Sequence, residues 1–213
     1  MLTKKLIFVL SLLIAGCSSI YLNTLEKIGI PKRQVMIHRV EKMRDTQEEA
    51  KQQFKSALAQ FQTLTHYSGG DLEDTYQRLN DTYQKSLDKA NEIHKRIKDI
   101  EDVSEALFAE WEGEIEEYSN ASLKRRSQQK LTATKRQYLQ LITAMKKAEA
   151  KMQPVLAVFK DQVLYLKHNL NAQAIASLKE DLTDIKSDVS KLILAMEKSI
   201  AEANQFIQAM EKN

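Results

Sequence analysis

The sequence predicts an all-α protein: an elongated antiparallel up-down bundle of four long helices with coiled-coil-like packing. Three observations carry that prediction. Five Gly and two Pro in 213 residues leave too little turn material for a β-sandwich, a barrel or a Rossmann-type sheet. Apolar residues recur at alternating spacings of three and four through four consecutive stretches, the period of a helix face packed in a bundle. The connectors between those stretches are short and polar, which makes sequential helices antiparallel neighbours.

The chain begins with an address rather than a structural element. Lys4 and Lys5 form a positive n-region. Leu6 to Ile14, interrupted only by Ser11, form an apolar core too short for a spanning helix, which takes roughly 20 apolar residues. The quartet Ile14-Ala15-Gly16-Cys17 resembles the lipobox of bacterial lipoproteins. That resemblance implies cleavage before Cys17, diacylation of its thiol and acylation of the new amine. More than one acyl chain makes a stable anchor. Ser18 stands where an Asp would resemble an inner-membrane retention signal, so the expected location is the inner leaflet of the outer membrane, facing the periplasm. The competing reading is an ordinary cleaved signal with an incidental cysteine. Residues 1–16 are thus expected to be a signal peptide and residues 17–30 a lipidated tether, with residues 31–211 a single helical-bundle domain. Loss of residues 1–16 removes Lys4, Lys5 and no acid, which lowers the net charge from +3 to +1. So small a charge does not point to nucleic acid.

The first helix is expected over 31–66, opened by Pro31, whose missing N–H is not needed in a first turn. Its seam is Met36, Val40, Met43, Gln47, Ala50, Phe54, Ala57, Phe61 and Leu64, with Gln47 the single polar interruption. Ser68-Gly69-Gly70 ends it, and Asp71 suits a cap for a second helix over 71–118. That seam runs Tyr76, Leu79, Tyr83, Ser86, Ala90, Ile93, Ile97, Ile100, Ser104 and Leu107, then Trp111, Ile115 and Tyr118. Asp102 and Glu105 have capping-box spacing, but no Gly or Pro supports a break near residue 101, and one helix is preferred. After a polar hinge at Ser119-Asn120-Ala121-Ser122, a third helix is expected over 122–168. Its seam is Thr134, Tyr138, Leu141, Met145, Ala148, Met152, Val155, Phe159 and Leu166, with a kink at Pro154. A fourth over 172–211 follows Leu178, Leu182, Ile185, Val189, Leu192, Met196, Ala203, Phe206 and Met210. Such a bundle would be roughly 55–70 Å long. It buries enough to stand as a monomer; the rival is an extended coiled coil that completes its core as a homodimer.

Gly29-Ile30-Pro31-Lys32-Arg33, the Trp111 region, and the run from Asp161 to Asn171 together resemble a family of uncharacterised helical lipoproteins from marine and other gammaproteobacteria. That family is catalogued as a domain of unknown function, and its members sometimes carry a "DNA repair ATPase" label. The resemblance covers nearly all of the mature chain and implies fold and location but no activity. The ATPase label finds no phosphate-cradling GxxxxGK[ST] loop here, since none of Gly16, Gly29, Gly69, Gly70 and Gly113 precedes Lys-Ser or Lys-Thr.

No catalytic, cofactor or metal site is expected. His38, His66, His94 and His168 are scattered, and none is preceded at three residues by the Glu that a di-iron bundle uses; a single Cys excludes a cysteine-built metal site. Tyr76, Tyr83, Trp111 and Tyr138 either line a ligand groove or fill core positions, and their seam spacing favours core. Charge is more telling. Asp99 to Glu117 holds nine acids and no base, and Lys124 to Lys151 nine bases and one acid, Glu149. The two runs are expected to pair across the hinge, with Glu116 and Glu117 near Lys124 and Arg125. Alternatively Lys124, Arg125, Arg126 and Lys130 form a membrane-proximal basic contact for anionic lipid or glycan phosphate. At the opposite end, His66, Tyr67, Tyr165, His168, Asn169 and Asn171 form a candidate partner-docking tip, unless they only cap helices. The functional expectation is a non-enzymatic, membrane-anchored envelope spacer or adaptor with a protein partner. The alternative is a lipid- or glycan-binding module that uses the bundle core or the basic face 124–151.

Overall fold

The computed structural model describes residues 22, 24–27, 29–64, 72–169 and 172–212. Four long helices make up most of them: α1 (Lys32–Leu64), α2 (Leu72–Glu117), α3 (Ala121–His168) and α4 (Ala172–Lys212). Each boundary falls within two residues of the expected one, because the pattern and the punctuation agree there. α2 is unbroken at residue 101. α3 is unbroken at Pro154, although the proline has no N–H to offer the Ala150 carbonyl.

Packing makes this a helical bundle. α1 lies against α2 and α4, and α3 against the same two. Contacts fix the directions. Arg39, Glu49 and Gln53 of α1 bond to Asp99, Lys89 and Thr82 of α2 in reverse order. Arg44 and Lys51 meet Asn204 and Glu197 of α4, also reversed. The diagonal backbones stay apart, and aromatic side chains bridge the centre. Phe61 of α1 stacks on Phe159 of α3 with ring centroids 4.5 Å apart, and Phe54 lies 6.5 Å from the same ring.

The α1 seam is buried from Met36 to Phe61, including Gln47, and in α3 Thr134, Leu141, Met145, Ala148, Met152, Val155, Phe159 and Leu166 are buried. Leu64 and Leu178 have side chains outside the described ones. Four aromatic seam positions need correction. Tyr76, Tyr83, Trp111 and Tyr138 are only partly buried against the core, while Thr75, Thr82, Val103 and Phe108 beside them are buried. Tyr118 is 42% exposed and follows the last residue of α2.

Part of the segment expected as a tether is described. Residues 22 and 24–27 are helical, so the described residues hold more than four helical elements. Leu22 is buried in the common core. No described helix is long and apolar enough to cross a membrane. Cys17 and the expected signal peptide lie outside the described residues.

Candidate functional sites at the bundle end and on the α3–α4 face

Of the six candidate tip residues, His66, Tyr67 and Asn171 lie outside the described residues. The other three gather at the C-terminal end of α3. Asn169 is its C-cap: the backbone N–H donates to the Leu166 carbonyl at 3.2 Å and Nδ2 donates to the Tyr165 carbonyl at 2.9 Å. Both of these donors are thus spent on closing a helix. Tyr165 and His168 are exposed beside it.

At the other end, Asn120 caps α3, its Oδ1 accepting from the N–H groups of Ser122 and Leu123 at 2.9 and 3.1 Å. The acid-rich half of α2 and the base-rich half of α3 then run side by side. Lys124 pairs with Glu116 at 2.7 Å, Lys135 with Glu112, and Lys146 with Glu101. Lys124 has the acidic partner expected of it. Arg125 and Arg126 are exposed, and Lys130 lines a cavity instead.

That cavity, about 260 Å³, opens where the N-terminal segment meets α2, α3 and the end of α4; Trp111, Thr134 and Met210 form part of its wall. The local sequence explains the approach of the N-terminal segment. Gly29 has φ of +89°; its N–H bonds to the Glu26 carbonyl at 2.9 Å, and the Ile30 N–H to the Leu25 carbonyl at 3.0 Å. This is a Schellman motif with glycine at the left-handed position. Pro31 follows, and its carbonyl accepts from the Val35 N–H to start α1. The reversal places Lys32, only 6% exposed, between Glu26 and Glu110, with its Nζ 3.3 Å from Glu110 Oε2 and in contact with Glu26.

The three charges tune one another. The hydrogen bond with Glu110, and then the bond from Lys32, hold the Glu26 carboxyl below its ordinary range. Burial and the hydrogen bond with Glu26 push Glu110 up. Burial works against charged Lys32, but its bonds to Glu26 and Glu110 outweigh that and raise it. A buried ammonium between two carboxylates is a clamp: it ties the helical residues 24–27 to α2, and removing one partner strands a charge. Nearby, Trp111 Nε1 donates to Ser127 Oγ at 2.8 Å, while the Thr134 hydroxyl is buried without a partner. The cavity wall carries three acids and three bases, so it selects no sign of charge. The sequence signal for the clamp was Gly29 followed by Pro31, a helix stop and a helix start, which a tether reading passes over.

The aromatic candidates are accounted for by packing. Tyr138 meets Phe108 edge-on at 5.4 Å and 74°, and its phenol is pushed up by burial, against a hydrogen bond with Ser104.

A second site was missed in the sequence. Between α3 and α4 lies an open groove of about 840 Å³ with Leu139 and Leu194 in its walls and Ala144 and Ala195 beneath. These leucines are 60% and 66% exposed. Both fall outside the heptad seams, which is the signal that could have found them.

The chain matches the family described as "Protein of unknown function (DUF2959)" over residues 21–210. No curated protein and no solved structure matches it. The match spans most of the sequence, and the chain belongs to that family.

Proposed function

We propose that this member of the DUF2959 family is a non-enzymatic lipoprotein of the cell envelope. Acyl groups on Cys17 anchor it in the outer membrane's inner leaflet, and its helical body acts as a periplasmic spacer or adaptor for a protein partner. The observation that carries this reading is Ile14-Ala15-Gly16-Cys17 directly behind a short apolar core. The finer architecture belongs to the same proposal: four long helices in up-down-up-down order, coiled-coil-like in their packing, with α3 bent at Pro154. The clamp at Lys32 supports it. A body tied close to its anchor transmits position, whereas a free tether of a dozen residues would let it wander.

The test is metabolic labelling with an alkyne fatty acid followed by membrane fractionation. The wild-type chain is expected to carry label and sediment with outer membranes; Cys17→Ala is expected to lose the label. A chain that is cleaved but unlabelled would sink the lipoprotein reading. Photocrosslinkers at Tyr165 and Asn169 test the adaptor role. A discrete protein adduct is expected, and silence at both positions ends the docking-tip idea.

A further inference from the structure

The bases of α3 divide by face. Lys124, Lys135 and Lys146 point toward α2 and are paired with its acids. Arg136, Lys147 and Lys151 point toward α4 and make no ion pair with a described residue, and the same holds for Lys198 of α4. Among the described residues Lys191 pairs only with Asp188 on its own helix, at 2.9 Å. The surrounding acids are committed elsewhere: Glu149 bonds to His94 at 2.6 Å and Glu197 lies 3.9 Å from Lys51. Glu202 is the only acid among the described residues that line the groove. Five bases therefore face solvent together on a chain whose net charge is only +3.

The spacing is that of two helix faces laid side by side. On α3 the face follows Arg136, Leu139, Thr143, Lys147 and Lys151; on α4 it follows Lys191, Leu194, Lys198 and Glu202. Both step by three and four, so each is one stripe of its helix, and the α3 stripe runs about 22 Å. The two most exposed large apolar side chains among the described residues, Leu139 and Leu194, stand between these bases.

We infer that the α3–α4 face docks laterally on an anionic phospholipid surface. The phosphates neutralise Arg136, Lys147, Lys151, Lys191 and Lys198, while Leu139 and Leu194 enter the boundary between headgroups and acyl chains. Charge complementarity selects the occupant. A phospholipid surface supplies phosphate along the whole stripe and an apolar layer for both leucines at once, whereas an acidic protein helix must match the spacing of both stripes. The inference goes beyond the anchor at Cys17 and holds whether or not that residue is acylated.

The experiment uses the full chain as W111F/L194W, which moves its single tryptophan into the groove, in both the Cys17 and the C17A backgrounds. It is mixed with vesicles of brominated phosphatidylcholine, alone or in equal mixture with phosphatidylglycerol. Strong quenching of the tryptophan is expected only with phosphatidylglycerol present, in both backgrounds, and it should weaken with salt. Reversing three bases, K147E/K151E/K198E, is expected to weaken docking at least about a hundredfold, at roughly fivefold per base. Circular dichroism should show the fold intact, since the three bases make no described ion pair. Equal quenching on both vesicles, quenching that survives the triple reversal, or no quenching at all overturns the inference. So does saturable binding of a soluble Leu/Glu amphipathic helical peptide without vesicle quenching, which would assign the face to a protein. Fatty-acid labelling of Cys17 reads the anchor separately, so neither failure is mistaken for the other.

Discussion

Gln47 is fully buried in the α1 seam, and neither its amide nitrogen nor its oxygen has a partner among the described residues. Ser199 of α4, equally buried, is also unpartnered, and both residues lie between the Arg44–Asn204 and Lys51–Glu197 contacts. One layer of the bundle thus carries two buried polar groups that no described residue satisfies. Each such group costs about 1–3 kcal/mol, so Gln47→Leu is expected to raise the unfolding free energy by that order in urea titration. A decrease would mean that the amide has a role in the fold. The compensating benefit of a buried polar layer is register, since it penalises packings that slide one helix along another. Glu110 offers a second test at this scale. Its carboxyl is raised above 4.5 by burial first, so its contribution to stability is present below pH 4.5 and is lost as pH rises through the folded value. Glu26, lowered by Glu110 and Lys32, acts oppositely: its contribution is present above 4.5 and lost as pH falls. The stability of wild type relative to Glu110→Gln is therefore expected to fall as pH rises above 4.5 and then level off. A difference independent of pH would remove Glu110 from the clamp.

Two glycines act in opposite directions on their elements. A Cβ added at Gly29 or Gly113 would meet nothing within 4 Å, so neither substitution is a matter of space. Gly29 holds φ at +89°, where an L side chain costs about 1–2 kcal/mol; Gly29→Ala is expected to destabilise by that amount and to loosen residues 22–27. Gly113 lies inside α2 and is exposed, so Gly113→Ala is expected to stabilise by about 0.5–1 kcal/mol. Thermal melts of the two variants should move in opposite directions; movement in the same direction would refute the backbone account. The long helices were legible in the sequence because each repeats its pattern over many turns, and Pro31, the glycine pair and Asn120 punctuate the first three. The segment ahead of α1 was not. A single helical turn carries no period, and its docking depends on Glu110, far away in the chain. The α3–α4 groove was half legible: the basic run 124–151 stood out, but its division into a paired and an unpaired face appears only once α2 and α4 take opposite sides of α3.

Across the whole molecule, charge is sorted by side. The acids of α2 meet the inner bases of α3 through exposed ion pairs, each worth only about 0–1 kcal/mol, so their effect is on pairing choice more than on stability. The remaining bases collect on the α3–α4 face. This arrangement also bears on oligomeric state. The most exposed apolar residues, Leu139 and Leu194, are the natural nucleus of a dimer, but a two-fold contact through that face would bring Arg136, Lys147, Lys151, Lys191 and Lys198 against their own copies. Like charges set opposite one another in an interface are strongly unfavourable, and the rest of the core is already enclosed by the four long helices and Leu22. The chain is therefore expected to be monomeric in detergent. Light scattering should give the protein mass of one chain, at most the 24.5 kDa of all 213 residues. Small-angle scattering should give a longest dimension of about 70 Å, the length of the 48-residue α3 at about 1.5 Å per residue. Twice the mass with an unchanged long dimension would mean that two bundles pair side by side. If K147E/K151E/K198E then tightened that dimer, the α3–α4 face would be an interface between copies, and its docking on phospholipid would have to be abandoned.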